Sequence, residues 1–287
     1  MKVCLDCEAR FESAGWRCPR CGSGPSGDGY LRFRAARGGT LDAFPEGSFA
    51  HLPEQEEGSF WFRARNELID WALRTYFPRA RSFFEVGCGT GVVLAALRVR
   101  RMEIAFAGGE PFAAGVEVAR SRLPDVPLYQ LDGRRLPFEE EFDVVGAFDV
   151  LEHVDDDEAV LAQMHQAAKP GGGILVSVPQ HPRLWSAVDE FSRHRRRYTR
   201  RELVDKVESA GFRVVRKTSF VSLLLPVVAL SRWRDRGQTA YDPSTEYRLP
   251  PAVERLFGAV MSLEGRLIAR GLSFPAGSSL LVVARRA

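Results

Sequence analysis

Three groups of residues in this chain have types and spacings that suit chemistry. The first is Phe83-Phe84-Glu85-Val86-Gly87-Cys88-Gly89-Thr90-Gly91, an apolar run that enters a glycine-rich turn ahead of a helical pattern. Glycine has no Cβ, so this turn lets a ligand lie against the main chain at a helix N-terminus, a natural setting for a nucleotide. Glu85 and the acidic ends of the next two apolar runs, Glu110 and Asp132, read with it as a nucleoside site.

The second group is Cys4-Leu5-Asp6-Cys7 and Cys18-Pro19-Arg20-Cys21, two Cys-x2-Cys knuckles ten residues apart. Thiolates at i and i+3 of a tight turn face one ion, and two such turns complete a tetrahedral site for Cys4, Cys7, Cys18 and Cys21. Zinc in a structural role suits this best. Rubredoxin-like iron and a pair of disulfides are the competing readings, the latter belonging to a secreted module.

The third group is a loop from His181 to Tyr198 holding Trp185, Asp189, His194 and Arg197. A histidine can take a proton near neutral pH, so His194 or His181 is a candidate general base. The alternative is a histidine that only orders its loop. Six arginines between Arg193 and Arg201 suit a phosphate or carboxylate on the substrate or a lipid surface; pairing with the acidic run Asp155–Glu158 is the plainer alternative.

The elements that must position these groups follow from periodicity. Short apolar runs alternate with helix-length segments from Arg81 to Val178, which predicts parallel strands joined by right-handed crossovers. Strands are expected near 82–86, 104–110, 128–132, 142–148 and 173–178, with two more near 212–219 and 279–285. A helix over 56–77 presents Phe60, Trp61, Ala64, Leu68, Trp71, Ala72 and Tyr76, which recur at spacings of three and four. Residues 1–24 form the cysteine ribbon, 25–55 a linker and 56–287 the main domain, with an insertion at about 220–277. That insertion holds an apolar run over 220–230, too short to span a bilayer, and a proline-started helix over 251–270. Glu264 lies in the apolar stripe of that helix, so it needs a partner: an arginine in the favoured reading, or substrate.

In this order the motifs resemble those of the class I S-adenosylmethionine (SAM)-dependent methyltransferases. The resemblance runs from Glu85–Gly91 through Gly109-Glu110-Pro111, Leu131–Phe138, Phe142–Val145 and Asp149-Val150-Leu151-Glu152-His153-Val154. It implies an α/β, Rossmann-like seven-stranded sheet with helices on both faces and the last strand antiparallel between its two predecessors. It also assigns Glu85 and the Gly87, Cys88, Gly89, Thr90, Gly91 turn to the methionine end of SAM. Glu110 and Pro111 fall at the ribose, and Asp132, Gly133 and Arg134 at the adenine. Phe148, Asp149 and Leu151 would line the passage between cofactor and acceptor. In this family an N-terminal helix packs by the pocket, so Trp61 and Arg65 are expected near ligand or substrate, with an aromatic core face as the alternative. His181, Trp185, Asp189, Arg197 and Tyr198 complete the expected acceptor side, and the pattern of Asp189, Arg197 and Tyr198 around His194 resembles a subgroup of these enzymes, which favours His194 over His181 as the base. His153 is expected to be structural.

Composition is compatible with this. A chain of 287 residues with 45% apolar content can build one full α/β core and a small appendage. Its net charge of +3 does not call for nucleic acid, and no basic face interleaved with aromatics appears. A start without a basic region followed by an apolar stretch leads to an expected cytoplasmic location. The expectation is a methyltransferase for a small or lipid-like acceptor bearing an anionic group, with peripheral membrane contact through 220–230 as an option. The alternatives are an RNA or protein methyltransferase and a non-catalytic SAM-binding partner subunit.

Overall fold

The computed structural model describes residues 1–27, 29–33, 45–234 and 249–287. A two-stranded hairpin, β1 (Lys2–Val3) and β2 (Arg10–Phe11), opens the chain, and a further short strand is β3 (Leu31–Arg32). The main strands are β4 (Ser82–Val86), β5 (Ala105–Glu110), β6 (Leu128–Gln130), β7 (Phe142–Phe148), β8 (Ala168–Pro179), β9 (Phe212–Phe220) and β10 (Ser279–Arg286). They lie side by side in the order β3-β6-β5-β4-β7-β8-β10-β9. Pairing is parallel from β3 to β8, and β10 is antiparallel to both β8 and β9.

The sheet therefore carries eight strands where seven were expected. The extra one, β3, falls inside the expected linker and adds itself to β6 with Leu31 opposite Tyr129. The linker is further occupied by a 3-10 turn at Glu46–Ala50 and a helix α1 (Leu52–Gly58). The expected 56–77 helix is accordingly two elements, because Ser59 turns extended and caps α2 (Phe60–Tyr76) by accepting from the Trp61 amide.

Each interior strand is covered on both faces, which is why its apolar run is nearly continuous. Phe83 and Phe84 are both fully buried and point to opposite sides of β4. Phe83 packs with Leu68 and Leu73 of α2, Leu94 of α3 (Val92–Arg100) and Ile268. Phe84 packs with Leu161 and Met164 of α5 (Asp157–Ala167) and Leu203 of α7 (Arg200–Ser209). Each ring contributes about 1.5–3 kcal/mol through burial. The remaining helices are α4 (Ala113–Arg122), α6 (Ala187–Phe191), α8 (Leu225–Arg234) and α9 (Pro251–Ala269), the last lying along α2. Residues 34–44 of the expected linker and 235–248 of the insertion fall outside the described residues.

Glu264 of α9 has backbone partners instead of the expected arginine. Its Oε2 accepts from the amides of Ser222 and Leu223, at 2.8 Å each, which pins the turn after β9 where Val221 has φ +55°. No helix among the described residues is long and apolar enough to cross a membrane.

The ribbon is seated on the sheet. Lys2 bridges Phe138, the Val3 amide donates to Pro137 O, and the Glu139 amide donates to Met1 O. Trp16 drops its ring among Phe33, Tyr129 and Phe138, at centroid distances of 5.0, 5.8 and 5.6 Å. The four cysteine sulfurs lie within 4.8 Å of one another, with Cys4–Cys21 and Cys7–Cys18 each at 3.6 Å. Those gaps are far from a disulfide bond and near the separation of about 3.8 Å that a tetrahedral zinc–thiolate site needs.

Candidate active site

Strand β4 delivers Glu85 and then the glycine turn at the carboxyl end of the sheet, where open α/β sheets hold their ligands. Gly87 sits at φ +67°, and a Cβ there would meet Val150 at 2.6 Å. Gly89 sits at φ +53° with only a Phe49 ring atom at 4.0 Å, so space opens in front of its backbone. The Gly89 amide donates to Glu110 Oε2 at 3.0 Å, and the Phe112 amide to Glu110 Oε1 at 3.1 Å. Burial nevertheless pushes the Glu110 carboxyl up to about 7. Glu85 is also raised well above the usual range by burial, with Arg65 opposing, and its Oε2 has no hydrogen-bond partner.

These residues face a cavity of about 410 Å³. Glu85, Gly87, Cys88, Gly89, Thr90, Glu110 and Pro111 line it, as do Phe148 and Asp149. Gly91, Asp132, Gly133, Arg134 and Leu151, expected at the site, are not among the residues that line this cavity. Asp132 is forked by Arg134, whose Nη2 and Nε donate to it at 2.7 and 3.0 Å.

On the opposite wall, Trp61 and Arg65 of α2 meet Asp149. Arg65 Nη1 donates to Asp149 Oδ2 at 2.7 Å, and its guanidinium lies 4.7 Å from the Trp61 ring. Asp149 has φ +56°, a conformation that turns the chain from β7 into the 3-10 turn Leu151–His153. That turn brings Glu152 and His153 to the cavity. Glu152 is fully buried, and neither carboxylate oxygen is hydrogen-bonded to another residue.

The loop after β8 divides in two. His194 and Arg197 line the cavity, and both hold Asp189: His194 Nδ1 is 2.8 Å from Oδ1 and Arg197 Nε donates to the same oxygen at 2.7 Å. Burial alone would raise the Asp189 carboxyl, but these two partners keep it below its usual value. The Ser186 amide donates to its Oδ2 in the capping box of α6. His181, Trp185 and Tyr198 do not line the cavity. Tyr198 is a core residue donating to Asp157 Oδ2 at 2.6 Å, and burial followed by the charge of Arg197 lowers the His181 imidazole.

The arginine run is engaged within the fold. Arg195 pairs with Asp155, Arg196 with Asp157, Arg197 with Asp189 and Arg201 with Asp205. Arg200 donates to Ser219.

The methyltransferase domain family matches residues 59–217, more than half of the chain and all of the glycine turn, the Asp149–His153 segment and the His194 loop. The chain belongs to this family. Its sheet, with the antiparallel strand inserted next to the edge, is that of the class I SAM-dependent methyltransferases. A dTDP-4-amino-2,3,4,6-tetradeoxy-D-glucose N,N-dimethyltransferase of Saccharopolyspora spinosa is 31% identical over 47% of this methyltransferase-family chain and 58% of its own length. A ubiquinone biosynthesis O-methyltransferase of Pseudomonas syringae is 27% identical over 38% of this chain and 49% of its own. This methyltransferase-family chain thus spans about half the length of these relatives. In fold it is similar to a chain of the complex between the Haloferax volcanii Trm112 methyltransferase activator and a methyltransferase, with TM-score 0.58 and 18% identity over 87% of this chain and 99% of that one.

Several wall residues were outside the sequence reading. Phe49 and Leu52 come from the expected linker, where Leu52-Pro53 followed by Glu54 is a helix-start signal, and Glu56 comes from the first position of the expected 56–77 helix. Ser278 and Ser279 enter from the start of β10, and no local pattern marks them.

Proposed function

We propose that this protein is a SAM-dependent methyltransferase acting on a small-molecule acceptor. The observation that carries the reading is one continuous cavity joining the Gly87–Gly89 turn and Glu110 to the Arg65–Asp149 pair and His194. The residues fit the cofactor: Glu85 Oε2 lacks a partner where an ammonium group would satisfy it, and the space before Gly89 admits a ligand against the backbone. When bound, SAM supplies an activated methyl group. What the chain supplies is alignment, since holding two reactants in line is worth much of the barrier. Arg65 fixes Asp149 at the meeting point of the two halves, and Asp189 fixes the His194 ring by its Nδ1, leaving Nε2 to take a proton from a hydroxyl or amine acceptor.

A lipid-like acceptor is supported by α8, whose Val228 lines the cavity while Val227, Leu230 and Trp233 stay exposed at 48, 48 and 67%. This apolar surface beside the cavity also supports peripheral contact with a membrane. For an anionic group on the acceptor, the support is the positive charge that Arg65, Arg197 and Arg232 bring to the cavity wall, the first two while also paired with Asp149 and Asp189. The relatives named above act by name on an amino sugar and in ubiquinone biosynthesis, which favours small acceptors over RNA or protein.

The test is incubation of the purified chain with methyl-labelled SAM and a host extract, followed by separation into metabolite, lipid, RNA and protein fractions. Label in metabolites or lipids upholds the proposal. Label confined to RNA or protein overturns the acceptor class, and no label in any fraction favours a SAM-binding partner subunit.

A further inference from the structure

Glu152, His153 and His194 bring one carboxylate and two imidazoles to the acceptor half of the cavity, their ligand atoms all within 4.8 Å of one another. We propose that these three residues form a binding site for a divalent first-row transition ion, separate from the cysteine ribbon.

Three observations converge on it. The first is charge. Among the carboxylates around this wall, Asp149 is matched by Arg65 and Asp189 by Arg197, at 2.7 Å in each case. Glu152 has no such match: it is fully buried, and both of its oxygens lack a hydrogen bond to any other residue. A buried carboxylate in that position needs a cation from outside the chain or must stay protonated.

The second is orientation. Histidines that ligate metals almost always give their other ring nitrogen to a carboxylate or carbonyl, which fixes the tautomer and aims the free nitrogen. His194 has this arrangement, with Nδ1 2.8 Å from the fully buried Asp189, itself held by Arg197 and the Ser186 amide. The His153 ring meets the His194 ring edge-on at a centroid distance of 4.7 Å, so both imidazoles sit over the same spot.

The third is the donor set. Two imidazoles and one carboxylate suit zinc, cobalt, iron or manganese better than magnesium or calcium, which favour all-oxygen shells. Ligands at about 2.1 Å from an ion lie about 3–4 Å apart, so side-chain rotation closes the cluster. Three protein ligands leave open positions, and all three residues face the cavity. A hydroxyl or carboxylate oxygen of the acceptor would fill one of those positions. That last step rests on the methyl-transfer reading; binding of the ion does not.

The experiment is titration with Co2+ of protein loaded with one Zn2+ per chain, which the four thiolates take first, followed by calorimetry and by visible absorption. Zinc stays in the thiolate ribbon, since it lies above cobalt in the affinity order. The expected result is one further Co2+ per chain, with a spectrum free of sulfur-to-cobalt charge transfer. Affinity falls by about tenfold or more in Glu152→Gln and in His153→Gln, the size of loss that even an outer partner produces. SAM binding retained by each variant shows that the fold is intact; a variant that fails this control is replaced by Glu152→Ser or His153→Asn. No Co2+ uptake beyond the ribbon, or uptake unchanged in both folded variants, overturns the site. Either failure leaves the methyltransferase reading standing, because that reading is decided by label transfer alone.

Discussion

Arg65 Nη1 donates to Asp149 Oδ2 across 2.7 Å and thereby ties α2, the first long helix, to the residue that turns β7 into the cavity wall. The Arg65 side chain is 7% exposed and that of Asp149 21%. Truncating one partner of a buried pair leaves the other charge uncompensated, which costs about 3–5 kcal/mol. Arg65→Ala is expected at the low end of that range, since Asp149 keeps some water. Thermal unfolding measures the stability loss, and the same variant should lose label transfer more strongly than it loses SAM affinity. Equal losses would make the pair a purely structural tie.

Glu110 gives a pH dependence whose sign is fixed. Its carboxyl is pushed up to about 7 by burial, from an ordinary 4.5. The folded chain thus holds a proton that the unfolded chain has already released, and the ligand-free protein loses stability as pH climbs through that window. If Glu110 accepts from the ribose hydroxyls of SAM, as proposed, they need its ionised form, so affinity should rise by about tenfold between about pH 6 and 8. Glu85, also raised by burial, acts in the same direction. Calorimetry at the two pH values reads this, and Glu110→Gln should be weak at both. A wild-type affinity that ignores pH would remove Glu110 from the cofactor contact.

Strand ends were legible in the sequence where chemistry punctuates them. The apolar runs 82–86 and 142–148 stop at Gly87 and Asp149, and β4 and β7 have those bounds. The glycine turn and the Asp189–His194 neighbourhood were legible for a related reason: both are local, with partners within a few residues. What escaped was nonlocal. The arginine run reads first as a ligand site, and the alternative of pairing with Asp155–Glu158, which packing of the loop near α5 brings about for Arg195 and Arg196, can be named from sequence but not decided there. Tyr198 resembled an acceptor contact, yet its hydroxyl is spent on Asp157. Two-residue β3 has too little pattern to show, and it exists only because the edge of β6 was there to receive it.

The ribbon's seat predicts that its metal matters to the cofactor. Apart from the Trp16 ring against Phe33 and Tyr129, the contacts named for it fall on 135–141, shortly after Asp132: Arg135 donates to Leu5 O, Lys2 bridges Phe138, and Arg10 pairs with Glu139. Stripping the ion should loosen this segment, lower the unfolding temperature and weaken SAM binding by about fivefold or more, the scale of a modest coupling between sites. Asp132→Ala should weaken binding in the same direction without lowering metal content. Calorimetry on metal-free and reloaded protein decides it, and an unchanged SAM affinity would reduce the ribbon to a passive attachment.

His194 is the last point at which the site is exposed to failure. If its imidazole takes the acceptor proton, His194→Gln should lower the rate by about 10²–10⁴. The deficit should be largest at acidic pH and shrink as pH rises, because the acceptor then loses its proton unaided. Asp189→Asn keeps an oxygen to accept the Ser186 amide but weakens the hold on His194 Nδ1, so it should show a smaller deficit of the same pH shape. Rates are measured on protein holding one Zn2+ per chain, without and with added Co2+. A deficit that Co2+ leaves untouched assigns His194 to proton transfer. Wild-type activity that rises with Co2+ while the variant's does not assigns it to the ion. A variant as fast as wild type in both conditions would show that alignment by Arg65 and Asp149 carries the chemistry without it.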